Sequence, residues 1–175
     1  MTLRKAALTD IAGIRALING YAAQGIMLPR TDLELAEHIR DFTLALDGTG
    51  SLLACGALHI YTPTMAEVRS LAVAPDTKSR GMGRAVVNAL VEEGIAFGLA
   101  EVFAFTYVPE FFRKLGFAEI ERGELPLKAW KDCLRCPKFH ACDEIAVRRR
   151  LKDTPRTPQF QVVEPGLRLP VISSH

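Results

Sequence analysis

Apolar residues recur at helical spacing across "TDIAGIRALINGYAAQ", where Ile11, Ile14, Ile18 and Tyr21 line one side of an expected helix with Thr9 as its N-cap. A short strand, "TLRKA", precedes it. In "TDLELAEHIRDF", Thr31 followed three residues later by Glu34 reads as a capping box, ahead of Leu35 and Ile39 on the buried side of a second helix. The loop "GIMLPR" between them cannot be helical through Pro29. The period then shortens to two. "FTLALDGTGSLLACGALHIY" holds two apolar runs about "DGTG", a hairpin signature, and "MAEVRSLAVAP" adds a third strand that ends at Pro75. Together they predict an antiparallel meander.

Helical spacing returns in "GMGRAVVNALVEEGIAFG", with Val86, Ala89, Leu90 and Phe97 on one face and Val87, Val91 and Ile95 beside it. So wide an apolar stripe predicts a helix well buried against a sheet. "EVFAFTYV" reads as a strand, "PEFFRKLG" as a short helix from Pro109 to Gly116, and "FAEIE" as another strand. "EIAVRRRL" is the last strand, its arginines expected on an exposed face. The order predicts a single α/β (α+β) domain over residues 1–151, a mixed sheet flanked by helices. Beyond it, residues 152–175 carry four prolines and no period, and are expected as an extended or disordered C-terminal extension.

Composition narrows the class. About half of the 175 residues are apolar, enough for one core, and 22 basic against 20 acidic residues create no strong field. Small-molecule partners fit this balance, and nucleic acid and membrane partners do not. The first residues lack the apolar stretch of a signal peptide, and no apolar run is long enough to span a bilayer. A cytoplasmic protein with reduced thiols is expected. Three of the four cysteines crowd into the stretch 132–144, where Cys133, Cys136, His140 and Cys142 follow the order C-x2-C-x3-H-x-C. These are the donors of a tetrahedral zinc site, and a small zinc-dependent binding module is one reading. Free thiols packing a loop are the other, so a structural zinc is left open and no metal is assigned.

The chemistry concentrates at "LAVAPDTKSRGMGRA", residues 71–85. Arg80, Gly81, Met82, Gly83, Arg84 and Ala85 make a glycine-containing turn that runs straight into a helix, where free amides and the helix dipole suit a phosphate or pyrophosphate. A side chain at either glycine is expected to block the anion's approach. There is no G-K-[ST], and Val86 stands where a dinucleotide fingerprint has its third glycine.

This stretch resembles the acetyl-coenzyme A signature of the GNAT N-acetyltransferases, R/Q-x-x-G-x-G/A, with Lys78, Gly81 and Gly83 at its marked positions. "FFRKLGF", residues 111–117, resembles the family's second signature, F-Y-x-K-x-G-F. At finer grain, "GIMLPR", "AEVRSLAV", "TYVPEFFRKLGF" and "LPLKAWKDCLRCPKFHACDEIAV" resemble the short amino-acid N-acetyltransferases of the N-acetylglutamate synthase type.

The resemblance implies a GNAT fold, acetyl-coenzyme A as co-substrate, an amino acid such as L-glutamate or L-glutamine as acceptor in arginine biosynthesis, and a possible homodimer. Within it, Leu71, Ala72 and Val73 are expected to offer main-chain groups to the pantetheine, and residues 80–85 with Lys78 to hold the phosphates. Val87 and Phe112 are read as core. Glu67 is the expected base, because an amine attacks a thioester only when neutral. Strict alternation would place Glu67 on one face with Arg69, Leu71 and Val73, and a strand bulge would disturb that parity. The signature's tyrosine is Phe112 here, so the usual general acid is missing and Tyr107 is the expected substitute. Arg30 and Arg69 are expected to hold the acceptor's carboxylates. A GNAT-like domain that binds acetyl-coenzyme A and regulates without turnover is an alternative permitted by Phe112.

Overall fold

The computed structural model of the chain describes residues 1–77, 80–125 and 142–151. Strand β1 (Thr2–Lys5) leads through a 3-10 turn (Leu8–Asp10) into helix α1 (Ile11–Ala22). Thr9 lies inside that turn and does not cap the helix. Asp10 closes the turn instead, accepting the Ala7 amide at 2.7 Å and pairing with Arg4 at 2.7 Å. A carboxylate with an arginine partner answers these groups better than a lone hydroxyl. Helix α2 (Asp32–Glu37) starts at the expected capping box: the Glu34 amide donates to Thr31 Oγ1 at 3.2 Å, and the Thr31 amide to Glu34 Oε2 at 2.9 Å. The helix is shorter than its periodic pattern, and Ile39 falls in a separate 3-10 turn (Ile39–Asp41).

Strands β2 (Phe42–Leu46), β3 (Leu52–Thr62) and β4 (Met65–Val73) form the expected meander. Helix α3 (Met82–Ala96), β5 (Glu101–Thr106), α4 (Pro109–Arg113), β6 (Ala118–Glu119) and β7 (Ile145–Arg150) complete the order. Among the described residues the sheet has seven strands in the order β1-β2-β3-β4-β5-β7-β6, with β4–β5 as its parallel pair. This is a mixed, mostly antiparallel α/β arrangement, as the pattern predicts. Helix α3 buries Val86, Val87, Leu90 and Val91 on one face of the sheet, against Ala54, Leu58, Ala66 and Val68. On the other face, Ile14 and Ile18 of α1 and Leu35 of α2 cover Leu44, Cys55 and Ala57.

Two further expectations fail. Phe97 is 60% exposed, because α3 stops at Ala96 and the chain reverses through Gly98 at φ +76°. The Leu99 amide then bonds Gly94 O at 3.0 Å and the Gly98 amide Ile95 O at 2.9 Å, a Schellman end that buries Leu99 where the stripe placed Phe97. The arginines of β7 are not a free exposed face either. Arg148 pairs with Glu124 at 3.0 Å and Glu101 at 3.6 Å, and Arg149 donates to Leu115 O at 2.7 Å. Most of the cysteine-rich stretch, including Cys133, Cys136 and His140, and all of 152–175 lie outside the described residues, so both readings of the cluster stay open.

Candidate active site

The site begins where β4 and β5 part. They pair at Met65↔Glu101, Ala66↔Val102 and Glu67↔Phe103 and no further, while β5 continues against β7 as far as Thr106↔Ile145. A wedge therefore opens between β4 and β5 beyond Glu67. A strand that loses its ladder partner leaves main-chain donors and acceptors pointing into the gap, the condition for an extended ligand to add as a strand.

The chain enforces the opening with a bulge. Cys55↔Ala72 and Ala57↔Arg69 are successive register points, so β4 carries one more residue than β3 between them. Ser70 takes φ +53°, and the Cys55 thiol approaches Ser70 O at 3.8 Å. The extra residue changes which side chains share a face. Leu71 and Val73 pack with α3, alongside Ala66 and Val68, whereas Ala72 joins the α1 and α2 side. Strict alternation from Glu67 to Val73 is thus broken: Glu67 and Arg69 face α1 and α2, opposite to Leu71 and Val73. One strand thereby serves two surfaces.

At the open end stands the N-terminus of α3. Gly81, its N-cap, has φ +82°, a conformation that costs an ordinary residue roughly 1–2 kcal/mol. Open space surrounds the position a Cβ would take there, so its glycine answers the backbone and not crowding. Gly83 is the reverse case. A Cβ on it would sit 3.3 Å from Val73 Cγ2 and 3.5 Å from Phe111 Cζ, so this glycine lets α3 and α4 close on β4. These two reasons stand beside the expectation that a side chain at either position would obstruct an anion. The amides of Met82, Gly83 and Arg84 belong to the helix's first turn, which has no carbonyls of its own to bond, and Arg80 and Arg84 are exposed beside them. Ala85 donates to Gly81 O at 3.0 Å and so begins the helical ladder. Lys78 falls outside the described residues.

Glu67 sits at the apex of the wedge, 9% exposed, with Tyr61 donating to its Oε2 at 3.0 Å. Tyr107 follows the end of β5, four residues beyond the Phe103 that pairs with Glu67. At about 3.3 Å per residue that places it roughly 13 Å further along the strand direction. The residue is 37% exposed. Phe112 is buried, edge to face with Phe111 and with Phe117 at 5.2 Å each, and Val87 is wholly buried. Both are core, as expected. Arg30 and Arg69 come together in one small cleft on the Glu67 side, lined also by Glu34, Leu35, His38, Phe42 and Ser70. Asn19 fixes the loop of Arg30, accepting its amide at 2.8 Å and donating to its carbonyl at 3.0 Å.

Residues that sequence reasoning passed over complete the site: Tyr61 on Glu67, and Tyr21, whose hydroxyl donates to Val73 O at 2.6 Å. Hairpin counting hides Tyr61: counted back from the turn at Pro63 and Thr64, Ile60 would stand opposite Glu67, and a register shift between Ile60 and Thr62 puts His59 there instead.

The sequence profile of the acetyltransferase (GNAT) family matches residues 17–117. An uncharacterized N-acetyltransferase of Chlorobaculum tepidum is 43% identical over 153 residues, which cover 85% of this chain and 96% of that one. An amino-acid acetyltransferase of Mycobacterium tuberculosis is 35% identical over 135 residues, 76% of this chain and 77% of the relative. Among solved structures, N-acetylglutamate synthase from Neisseria gonorrhoeae, complexed with coenzyme A and N-acetyl-glutamate, superposes with a TM-score of 0.78 at 29% identity. That match covers 86% of this chain and 35% of the other, so the chain corresponds to about a third of the longer protein.

Proposed function

The chain belongs to the GNAT acetyltransferase family, and from that premise we propose that it transfers the acetyl group of acetyl-coenzyme A to the α-amino group of an amino acid, L-glutamate or L-glutamine. The observation that carries this reading is the two-sided strand β4. Its bulge leaves the backbone of Leu71–Val73 beside the wedge and the α3 N-terminus, while Glu67 and Arg69 leave the strand on the opposite face, where Arg69 lines a small cleft with Arg30. The relatives named as amino-acid acetyltransferase and N-acetylglutamate synthase support the choice of acceptor.

In this reading the coenzyme's pyrophosphate rests on the first-turn amides of α3, with Arg80 and Arg84 adding charge, and its pantetheine amides bond the open edge of Leu71–Val73. Arg30 and Arg69 bind the acceptor's carboxylates. Glu67 takes one proton from the ammonium, and the neutral nitrogen attacks the thioester carbonyl carbon. The N–C bond forms, the C–S bond breaks, and the thiolate leaves with a proton from Tyr107; the nitrogen sheds its second proton to solvent, from which Tyr107 recovers one, and Glu67 releases its own. Tyr61 holds the Glu67 carboxylate in place. The test is release of coenzyme A thiol with a panel of amino acids. Turnover led by glutamate or glutamine is expected; acetyl-coenzyme A binding without turnover of any amino acid would replace the reading with a sensor.

A further inference from the structure

His59 is the cross-strand partner of Glu67, so both side chains leave the sheet on the acceptor face, with Cβ atoms about 5 Å apart. Two further groups converge on His59. Its Nδ1 lies 2.8 Å from Asp41 Oδ2, and His38 Nδ1 lies 3.6 Å from the same oxygen. The three donor atoms fall within 4.8 Å of one another. We propose that His38, Asp41 and His59 form a binding site for a divalent transition-metal ion of the zinc class, on the edge of the acceptor cleft.

Donor chemistry selects the ion. Two imidazoles and one carboxylate favour zinc, nickel or copper over magnesium or calcium, which prefer oxygen ligands throughout. Spacing is close: a tetrahedral ion with ligands at about 2.0–2.1 Å needs donors roughly 3.3 Å apart, so the 2.8 Å hydrogen bond between His59 and Asp41 opens by about half an ångström and the 3.6 Å separation of His38 from Asp41 closes slightly.

The frame is already built. His38 ends α2, Asp41 follows three residues later in the 3-10 turn, and His59 is anchored in the middle of the sheet. The two imidazoles meet edge to face at 5.0 Å, and His59 packs edge to face on Tyr61 at 4.9 Å. Side-chain exposures of 12% for His59, 26% for Asp41 and 33% for His38 leave one side open to water, for entry and for a fourth ligand. Lys5 reaches the Asp41 carbonyl at 3.1 Å but pairs its charge with Glu93 at 2.9 Å, so it does not neutralise the Asp41 carboxylate.

His38 also lines the cleft of Arg30 and Arg69. A dication there repels the ammonium of an incoming acceptor, so occupancy lowers turnover. This consequence rests on the proposed reaction; the binding does not.

The test titrates the full chain, stripped of metal, with Co2+ as a spectroscopic probe and Zn2+ as competitor. Cys133→Ser/Cys136→Ser serves as background, to set aside the other soft donors. One Co2+ per chain is expected, with a nitrogen and oxygen ligand field, no thiolate charge-transfer band, and displacement by Zn2+. Affinity should fall roughly tenfold or more in both His38→Ala and His59→Gln. Unchanged affinity in either histidine variant, or no Co2+ bound in the cysteine background, overturns the site. Absence of turnover with every amino acid would remove the proposed reaction and leave this readout intact.

Discussion

Gly56 lies directly beneath the bulge, between the register points Cys55↔Ala72 and Ala57↔Arg69, on the face that meets α3. A Cβ added there would stand 2.9 Å from Val86 Cγ1, 3.3 Å from Leu90 Cδ1 and 3.4 Å from Leu71 Cδ1. The closest of these cannot easily yield. Val86 is β-branched, has essentially one rotamer in a helix, and is wholly buried. Gly56→Ala must therefore push α3 away from the sheet or strain Val86, an overpacking cost of about 1–3 kcal/mol. The lost flexibility of the unfolded chain returns about 0.5–1 kcal/mol. A net destabilisation of about 1–2 kcal/mol follows, and at this chain length that lowers Tm by about 2–8 °C. Thermal unfolding of Gly56→Ala, Val86→Ala and the double variant checks it. If the clash with Val86 is the cause, the double variant recovers about 1 kcal/mol relative to the sum of the singles. Gly56→Ala as stable as the parent, or strict additivity, would refute the account of how closely α3 seats behind the bulge.

Glu67→Gln should lower kcat by about 10²–10⁴ at neutral pH with little change in acetyl-coenzyme A affinity, read by thiol release and by coenzyme binding. Arg30→Ala and Arg69→Ala should each raise KM for the amino acid more than KM for acetyl-coenzyme A, and the opposite pattern would remove that arginine from the acceptor cleft. Tyr107→Phe should reduce turnover and spare coenzyme affinity; unchanged turnover would mean that the thiolate leaves without it. Burial pushes the Cys55 thiol up from 9.0 to about 12. The native state then holds a proton that the unfolded chain releases, so the stability carried by the neutral thiol is complete below pH 9 and is lost as pH rises through 12. Urea unfolding above pH 9 should fall more steeply with pH than in Cys55→Ala, and peptide mapping should find Cys55 resistant to alkylation until the chain unfolds.

Local interactions account for what could be read along the chain. The Thr31 and Glu34 capping box, the meander, the long buried helix after Gly81 and the loss of a hydroxyl at Phe112 each depend on residues within a turn or two of one another, where spacing alone fixes geometry. The glycines 81 and 83 and the "FFRKLGF" segment were enough to point to the family. Helix ends were less legible: Asp10 displaced Thr9, and the Schellman reversal at Gly98 put Leu99 in the place of Phe97, because a cap is chosen by which partner is within reach.

The site itself needed the sheet. One extra residue at Ser70 reverses the parity of β4, and no alternation count along "EVRSLAV" reveals where the ladder slips. Likewise β7 enters between β5 and β6, letting β5 leave β4 and open the wedge beside Glu67. His38, Asp41 and His59 meet because a helix end, a turn and a strand are brought together by pairing and packing. The sequence by itself determined the elements, their order and the family, since short-range periodicity and capping carry that information. Which side chains share a surface was decided by strand register and by where two strands separate, and those are set by contacts among residues far apart in the chain.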